Sequence, residues 1–99
     1  MRFEWDEAKN KANVRKHRLD FADIPAVFEG PMYVTLDTKE EYREDRWIGI
    51  GFLGATIVVL VFVERPRETI RIISARKATK HEREKFKKAI GHRSGIPGL

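Results

Sequence analysis

The run Thr56-Ile57-Val58-Val59-Leu60-Val61-Phe62-Val63 constrains this chain more than any other stretch. A β-branched, apolar run without alternation leaves no face for water, so it reads as a central strand buried on both sides. It is far too short to cross a bilayer, which takes about 20 residues. Its neighbours are also strand-like. Trp47, Ile48, Ile50 and Phe52 form a strand with Gly49 and Gly51 between them. Gly54-Ala55 joins that strand to the central run, and the leading glycine suits a type II′ hairpin. Arg65-Pro66-Arg67-Glu68 turns the chain into a last strand, Thr69 to Ser74. Met32 to Leu36 reads as a further strand, followed by a charged loop from Asp37 to Asp45.

Helical patterns flank these strands. Arg2-Phe3-Glu4-Trp5 alternates and reads as a short opening strand. Asp6 then caps a helix to about Lys16 that is apolar only at Ala8, Ala12 and Val14, giving a thin contact stripe and a wide basic face. Asp20 or Asp23 caps a second helix with Phe21, Ile24, Val27 and Phe28 on one face. Pro25 is tolerated only in a first turn, which favours a late start or a kink. Thr79-Lys80-His81-Glu82 matches the capping box that opens a final helix, which runs to about Ile90 and is stopped by Gly91. The order β-α-α-β-β-β-β-α predicts one α+β domain over residues 1–90 with an antiparallel, meandering sheet. Residues 91–99 are expected to form a flexible tail.

Ninety-nine residues supply one core. The chain has no cysteine, so disulfides and thiolate metal sites are excluded and a reducing, cytoplasmic setting is expected. The charged opening residues do not resemble a signal peptide. The formal net charge is +5, and it is polarised along the chain. From Arg76 to Arg93, eight basic residues face only Glu82 and Glu84, a net +6. From Phe21 to Glu64, three basic residues face eight acidic ones, a net −5. Such a chain suits a polyanion or an oppositely charged protein; the same charges also fit a solvated helix face.

No Gly-rich phosphate loop, G-x-S-x-G elbow or metal-ligand spacing is present, and His17, His81 and His92 are scattered, so neither a metal nor a cofactor is expected. Basic residues dominate what remains. Metal-free RNA cleavage uses the neighbouring 2′-hydroxyl as nucleophile. It needs a base for that hydroxyl, an acid for the departing 5′-oxygen, and cations for the phosphorane. Arginine suits the last role, because its fork matches phosphate oxygens and it keeps its proton. Three clusters could supply these groups. The first is Lys9, Asn13 and Lys16-His17, which recur at helical spacing, or else form a solvated stripe. The second is Arg71 to Lys77, where Arg71 needs an anion and could equally pair with Glu64 or Glu68. The third is Arg46 beside Trp47, open to a phosphate or to an acid of the preceding loop. Trp5 and Trp47 could stack on a base or belong to the core.

The opening Phe3-Glu4-Trp5-Asp6, then Lys9-x-x-x-Asn13-x-x-Lys16-His17, then Phe21 and Phe28, resemble the start of the BrnT toxin family. The block Arg71-Ile72-Ile73-Ser74-Ala75-Arg76-Lys77-Ala78-Thr79-x-x-Glu82-Arg83 is similar to that family's most recognisable segment. The resemblance implies a RelE-like fold and a ribonuclease that arrests translation. It also implies neutralisation by a ribbon-helix-helix antitoxin, BrnA, in a heterotetramer that binds operator DNA through the antitoxin. The leading reading is a metal-independent endoribonuclease leaving a cyclic phosphate. Arg71, Arg76 and Arg46 would hold the phosphate, with His17 and Glu82 as acid–base groups and Lys16 and Lys77 as alternatives. Lys9, Lys16, Lys77, Lys80 and Arg83 would bind RNA. The rival readings are a basic module that holds an acidic partner or DNA without catalysis, and an inactivated toxin kept as a corepressor.

Overall fold

The Thr56–Val63 run lies in the middle of the sheet, as its burial requires. The computed structural model describes residues 1–39, 41 and 43–94, the last three by backbone alone. The strands are β1 (Arg2–Trp5), β2 (Met32–Leu36), β3 (Trp47–Leu53), β4 (Thr56–Arg65) and β5 (Thr69–Lys77), ordered β1-β5-β4-β3-β2. Strands β2 to β5 form the expected antiparallel meander. β1 adds to the outer side of β5 in parallel, Arg2 opposite Thr69 and Trp5 opposite Ile72, so the whole sheet is mixed. The β3–β4 turn has φ +60° at Gly54 and no positive φ at Ala55, the type II′ pattern.

Two cores follow from the alternation along β4. Val58, Leu60 and Phe62 pack with Leu19, Phe21, Ile24, Val27 and Ile72 on one face. Ile57 and Val59 pack with Ile50, Ala78 and Phe86 on the other, beneath helix α2 (Lys80–Ser94). Each face therefore has its own helical cover, and β4 is dry on both sides.

Helix α1 (Glu7–His17) is capped by Asp6, whose carboxylate accepts the Lys9 N–H at 3.1 Å. Its attachment reverses the expectation from its apolar positions. Ala8 and Ala12 are exposed, while Asn10 and Asn13 are buried. Asn13 donates to the Leu19 carbonyl at 3.0 Å and accepts the Ala75 N–H at 3.2 Å, pairing the edge of β5 beyond the end of β1. Asn10 accepts the Phe21 N–H at 2.9 Å and donates to Asp20 at 3.0 Å. The helix is thus held where buried backbone groups need partners.

The second helix, Phe21–Glu29, is a 3₁₀ helix. Its fully buried residues, Phe21, Ile24 and Val27, recur every third position, which is the 3₁₀ repeat. Phe28 is half-buried between Phe3 and Phe62, with ring centroids 5.1 Å from each. Asp20 is the cap, accepting the Ala22 N–H at 2.9 Å, and the Asp23 N–H closes on the Asp20 carbonyl at 3.0 Å. Pro25 sits mid-segment and removes one of the early i→i−4 bonds that an α-helix would need.

Helix α2 continues past Gly91 to Ser94, beyond the expected stop at Ile90. A glycine ends a helix when the chain also turns left-handed there; otherwise it costs about 1 kcal/mol and the helix runs on. Residues 95–99 of the expected tail lie outside the described residues, as do Glu40 and Tyr42 of the charged loop. No helix among the described residues is long and apolar enough to cross a membrane.

Candidate functional site

A β-bulge in β5 assembles the site. Val61 is opposite Ser74, but the next residue, Phe62, is opposite Ile72, so Ile73 is an extra residue on β5. Arg71 and Arg76 are an odd number of residues apart and would project from opposite faces of a regular strand. The inserted residue returns them to one face: Arg71 is opposite Val63 and Arg76 opposite Val59. The β2–β3 ladder runs one step further, with the Asp37 N–H on the Arg46 carbonyl at 2.8 Å. Alternation then puts Arg46 on the face of Ile48 and Ile50, which is the α2 face. The three arginines, expected from two separate clusters, therefore share one face, with Ser74 in the row between Arg71 and Arg76. The rows of Arg71 and Arg76 are roughly 13 Å apart, the rise of four strand residues.

Arg76 is clamped. Its Nη1 and Nη2 donate to Glu82 Oε1 and Oε2 at 2.7 and 2.8 Å, and Nη1 also donates to the Lys77 carbonyl at 3.3 Å. Glu82 closes the capping box read from the sequence. Its Oε1 accepts the Thr79 N–H at 2.9 Å, and Thr79 Oγ1 accepts the Glu82 N–H at 3.2 Å. The hydrogen bonds from Arg76, aided by the Thr79 N–H, hold the Glu82 carboxyl down at about 2. The same pair raises Arg76 above its ordinary value. Glu82 is ionised throughout the neutral range, so of its expected acid–base use the geometry gives no support to the acid half. Arg71 does need an anion, as expected, but the partner is neither Glu64 nor Glu68. Its Nη1 donates to Glu4 Oε2 at 2.7 Å, because the parallel register sets Glu4 opposite Arg71.

The remaining candidates fall into two groups. Lys77, Lys80 and Arg83 are exposed around the start of α2, and Arg83 Nη1 donates to the Ala78 carbonyl at 3.0 Å. Lys9 and Lys16 are exposed on α1, and His17 ends that helix half-buried. Among the described residues, no hydrogen bond or ion pair joins His17 to Arg71, Arg76 or Glu82. Trp5 and Trp47 pack on the first core, Trp5 edge-on to Phe21 with centroids 6.4 Å apart, which is the core reading rather than base stacking. Glu4 and Ser74 were missed as members of this face. No local signal marks either, since both enter through strand pairing. No group of three His, Asp or Glu suited to a metal occurs among the described residues.

A small α+β chain with a mixed sheet, helices at both ends and an arginine-bearing face has the build of a ribonuclease toxin. The profile described as "Ribonuclease toxin, BrnT, of type II toxin-antitoxin system" matches residues 5–82. Among solved structures, the crystal structure of the Brucella abortus ribonuclease toxin BrnT matches with a TM-score of 0.63 and 30% identity, covering 81% of this chain and 99% of that one. The chain belongs to the BrnT family of ribonuclease toxins of type II toxin–antitoxin systems. A comparison with curated proteins gives no match.

Proposed function

We propose that this chain is a cytoplasmic, metal-independent endoribonuclease that inhibits translation by cutting RNA through attack of a 2′-hydroxyl on the adjacent phosphate, leaving a 2′,3′-cyclic phosphate. One observation carries the reading: the β5 bulge puts Arg71 and Arg76 on the sheet face that also carries Arg46, with Arg76 beside the basic start of α2. Fixed guanidiniums stabilise the charge that grows on a phosphorane, the role a metal fills elsewhere. Glu82 serves as a positioning residue, holding Arg76 against the helix N-terminus. His17 is the proposed proton-transfer group, since imidazole exchanges protons near neutrality. Lys77, Lys80 and Arg83, with Lys9 and Lys16 on α1, hold the flanking phosphates.

A type II toxin family implies an antitoxin partner. A BrnA-type ribbon-helix-helix antitoxin, joined in a heterotetramer that reaches operator DNA through the antitoxin, fits the charge polarity of the chain.

The test is incubation of the purified chain with RNA in excess chelator, followed by end-group analysis. Fragments ending in cyclic phosphate are expected from the unaltered chain, and Arg76→Ala is expected to abolish them with an unchanged circular-dichroism spectrum. Unaltered cleavage by Arg76→Ala removes the assignment. A second reading, a non-catalytic basic module or corepressor, is favoured by the clamping of both Arg71 and Arg76 by carboxylates. Uncut RNA with retained binding selects it.

A further inference from the structure

We propose that the depression between the β3–β4 hairpin and α2 is a nucleobase subsite, in which one base of single-stranded RNA stacks on Phe52 while Lys77, Arg83 and Lys87 take the flanking phosphates. This subsite names how the substrate is gripped, and so rests on the ribonuclease reading.

Phe52 is the one aromatic among the large apolar side chains left exposed in the described residues, at 36%. A ring exposed at a strand end presents a flat apolar surface on which another ring can stack. Its orientation is fixed from below, because it meets the fully buried Phe86 edge-on with centroids 5.1 Å apart. With Ile57 and Ala78 it lines a depression of about 440 Å³ whose other walls include Lys77, Arg83 and Lys87. That volume is within the range of small-molecule clefts, about 300–1,000 Å³. The charged residues that line it are all cations. Arg83 and Lys87 are one helical turn apart, and Arg83 is steadied by its bond to the Ala78 carbonyl at 3.0 Å. An aromatic floor with cationic walls matches a ligand that alternates flat bases with phosphates.

The position agrees with the arginine face. Ile57 lies on the same face of β4 as Val59, the residue opposite Arg76. The Ile57–Phe52 row is therefore the next row along the sheet, roughly 7 Å from that of Arg76. The Ala78 N–H closes on the Ile57 carbonyl at 2.9 Å, so the chain passes directly from Arg76 to the wall of the depression. A phosphate held at Arg76 leaves a neighbouring base within reach of Phe52. Arg83 and Lys87 lie beyond the residues matched by the family profile, whereas Phe52 lies within them.

The experiment uses a fully 2′-O-methylated adenosine oligonucleotide carrying one 2-aminopurine, which 2′-hydroxyl attack cannot cut. Binding to the full chain is expected to quench the fluorophore. Phe52→Ala is expected to weaken binding roughly tenfold, as for loss of one aromatic–base stack. Phe52→Leu keeps an apolar contact with Phe86 and should melt near the unaltered chain, yet lose the quenching; Phe52→Trp should restore it. Unchanged affinity and quenching in Phe52→Ala and Phe52→Leu overturn the subsite, and leave the ribonuclease reading intact if Arg76→Ala still loses cleavage. If Phe52→Leu instead escapes neutralisation by the co-expressed antitoxin while probe binding is unchanged, the depression is a protein-docking face and the subsite is overturned. Absence of probe binding by the unaltered chain overturns the subsite, while the ribonuclease reading stands or falls on the cyclic-phosphate fragments.

Discussion

Glu82 shows how one side chain joins folding to the candidate site. Its carboxylate completes the capping box of α2 and grips both ends of the Arg76 guanidinium. The group titrates at about 2 in the folded chain against an ordinary 4.5, so its charged form favours folding. That contribution is complete above about pH 4.5 and disappears as the pH falls toward 2. Glu82→Gln keeps an oxygen for the Thr79 N–H but loses the charge. It should cost on the order of 1–2 kcal/mol at pH 7, the pair being partly exposed and screened by water. The difference between the two proteins, measured by urea unfolding, should shrink from pH 5 to pH 2. A difference independent of pH would place the stabilisation elsewhere. For cleavage, a positioning role lowers the rate in Glu82→Gln without removing a limb of the pH–rate profile, whereas an acid–base role removes one.

Among the elements, β3 owes its close packing to two glycines. A Cβ on Gly51 would fall 2.7 Å from Val27 Cγ1 and 3.3 Å from the Pro31 carbonyl oxygen, so the 3₁₀ helix and the backbone after it would both have to move. A Cβ on Gly49 would fall 2.6 Å from Met32 Cε, the end of a flexible side chain, and 3.1 Å from Phe62 Cε1. Gly51→Ala should therefore lower stability by about 1–3 kcal/mol, and Gly49→Ala by less. Urea midpoints at constant m check both, and an unchanged midpoint for Gly51→Ala would show that the 3₁₀ helix is free to retreat. What the sequence disclosed about the elements was local. The Thr79–Glu82 box, the Gly54–Ala55 turn and the dry β4 run each carry their cause within a few residues. Whatever depends on a distant partner was hidden: the parallel seat of β1, the asparagines under α1, and the bulge at Ile73. Arg71 and Arg76 stood out as candidate phosphate ligands from their chemistry. Their common face was not, because it is created by pairing with β4.

At the scale of the molecule, the charge separation in the sequence becomes a separation along the strands. The acidic loop enters β3 at the sheet end where Trp47 is opposite Phe62. Lys77, Arg83 and Lys87 gather at the other end, where Leu53 is opposite Thr56 across the hairpin. The flanking phosphates of a polyanion are steered to the hairpin end and kept off the acidic loop itself. If Arg76, Lys77, Arg83 and Lys87 each meet one phosphate, counterion release from a single strand gives a log–log slope of affinity against salt of about −3. Lys87→Ala should flatten that slope by about 0.7, the share of one contact. Glu41→Lys raises the charge of the acidic loop by two and should leave the slope as it was, since the Glu41 position itself meets no phosphate. Fluorescence anisotropy of a labelled, uncuttable oligonucleotide across a series of KCl concentrations measures all three. A steepening by Glu41→Lys about twice the flattening by Lys87→Ala, in proportion to the change in charge, would mean that net charge alone draws the RNA and that the hairpin end holds no site.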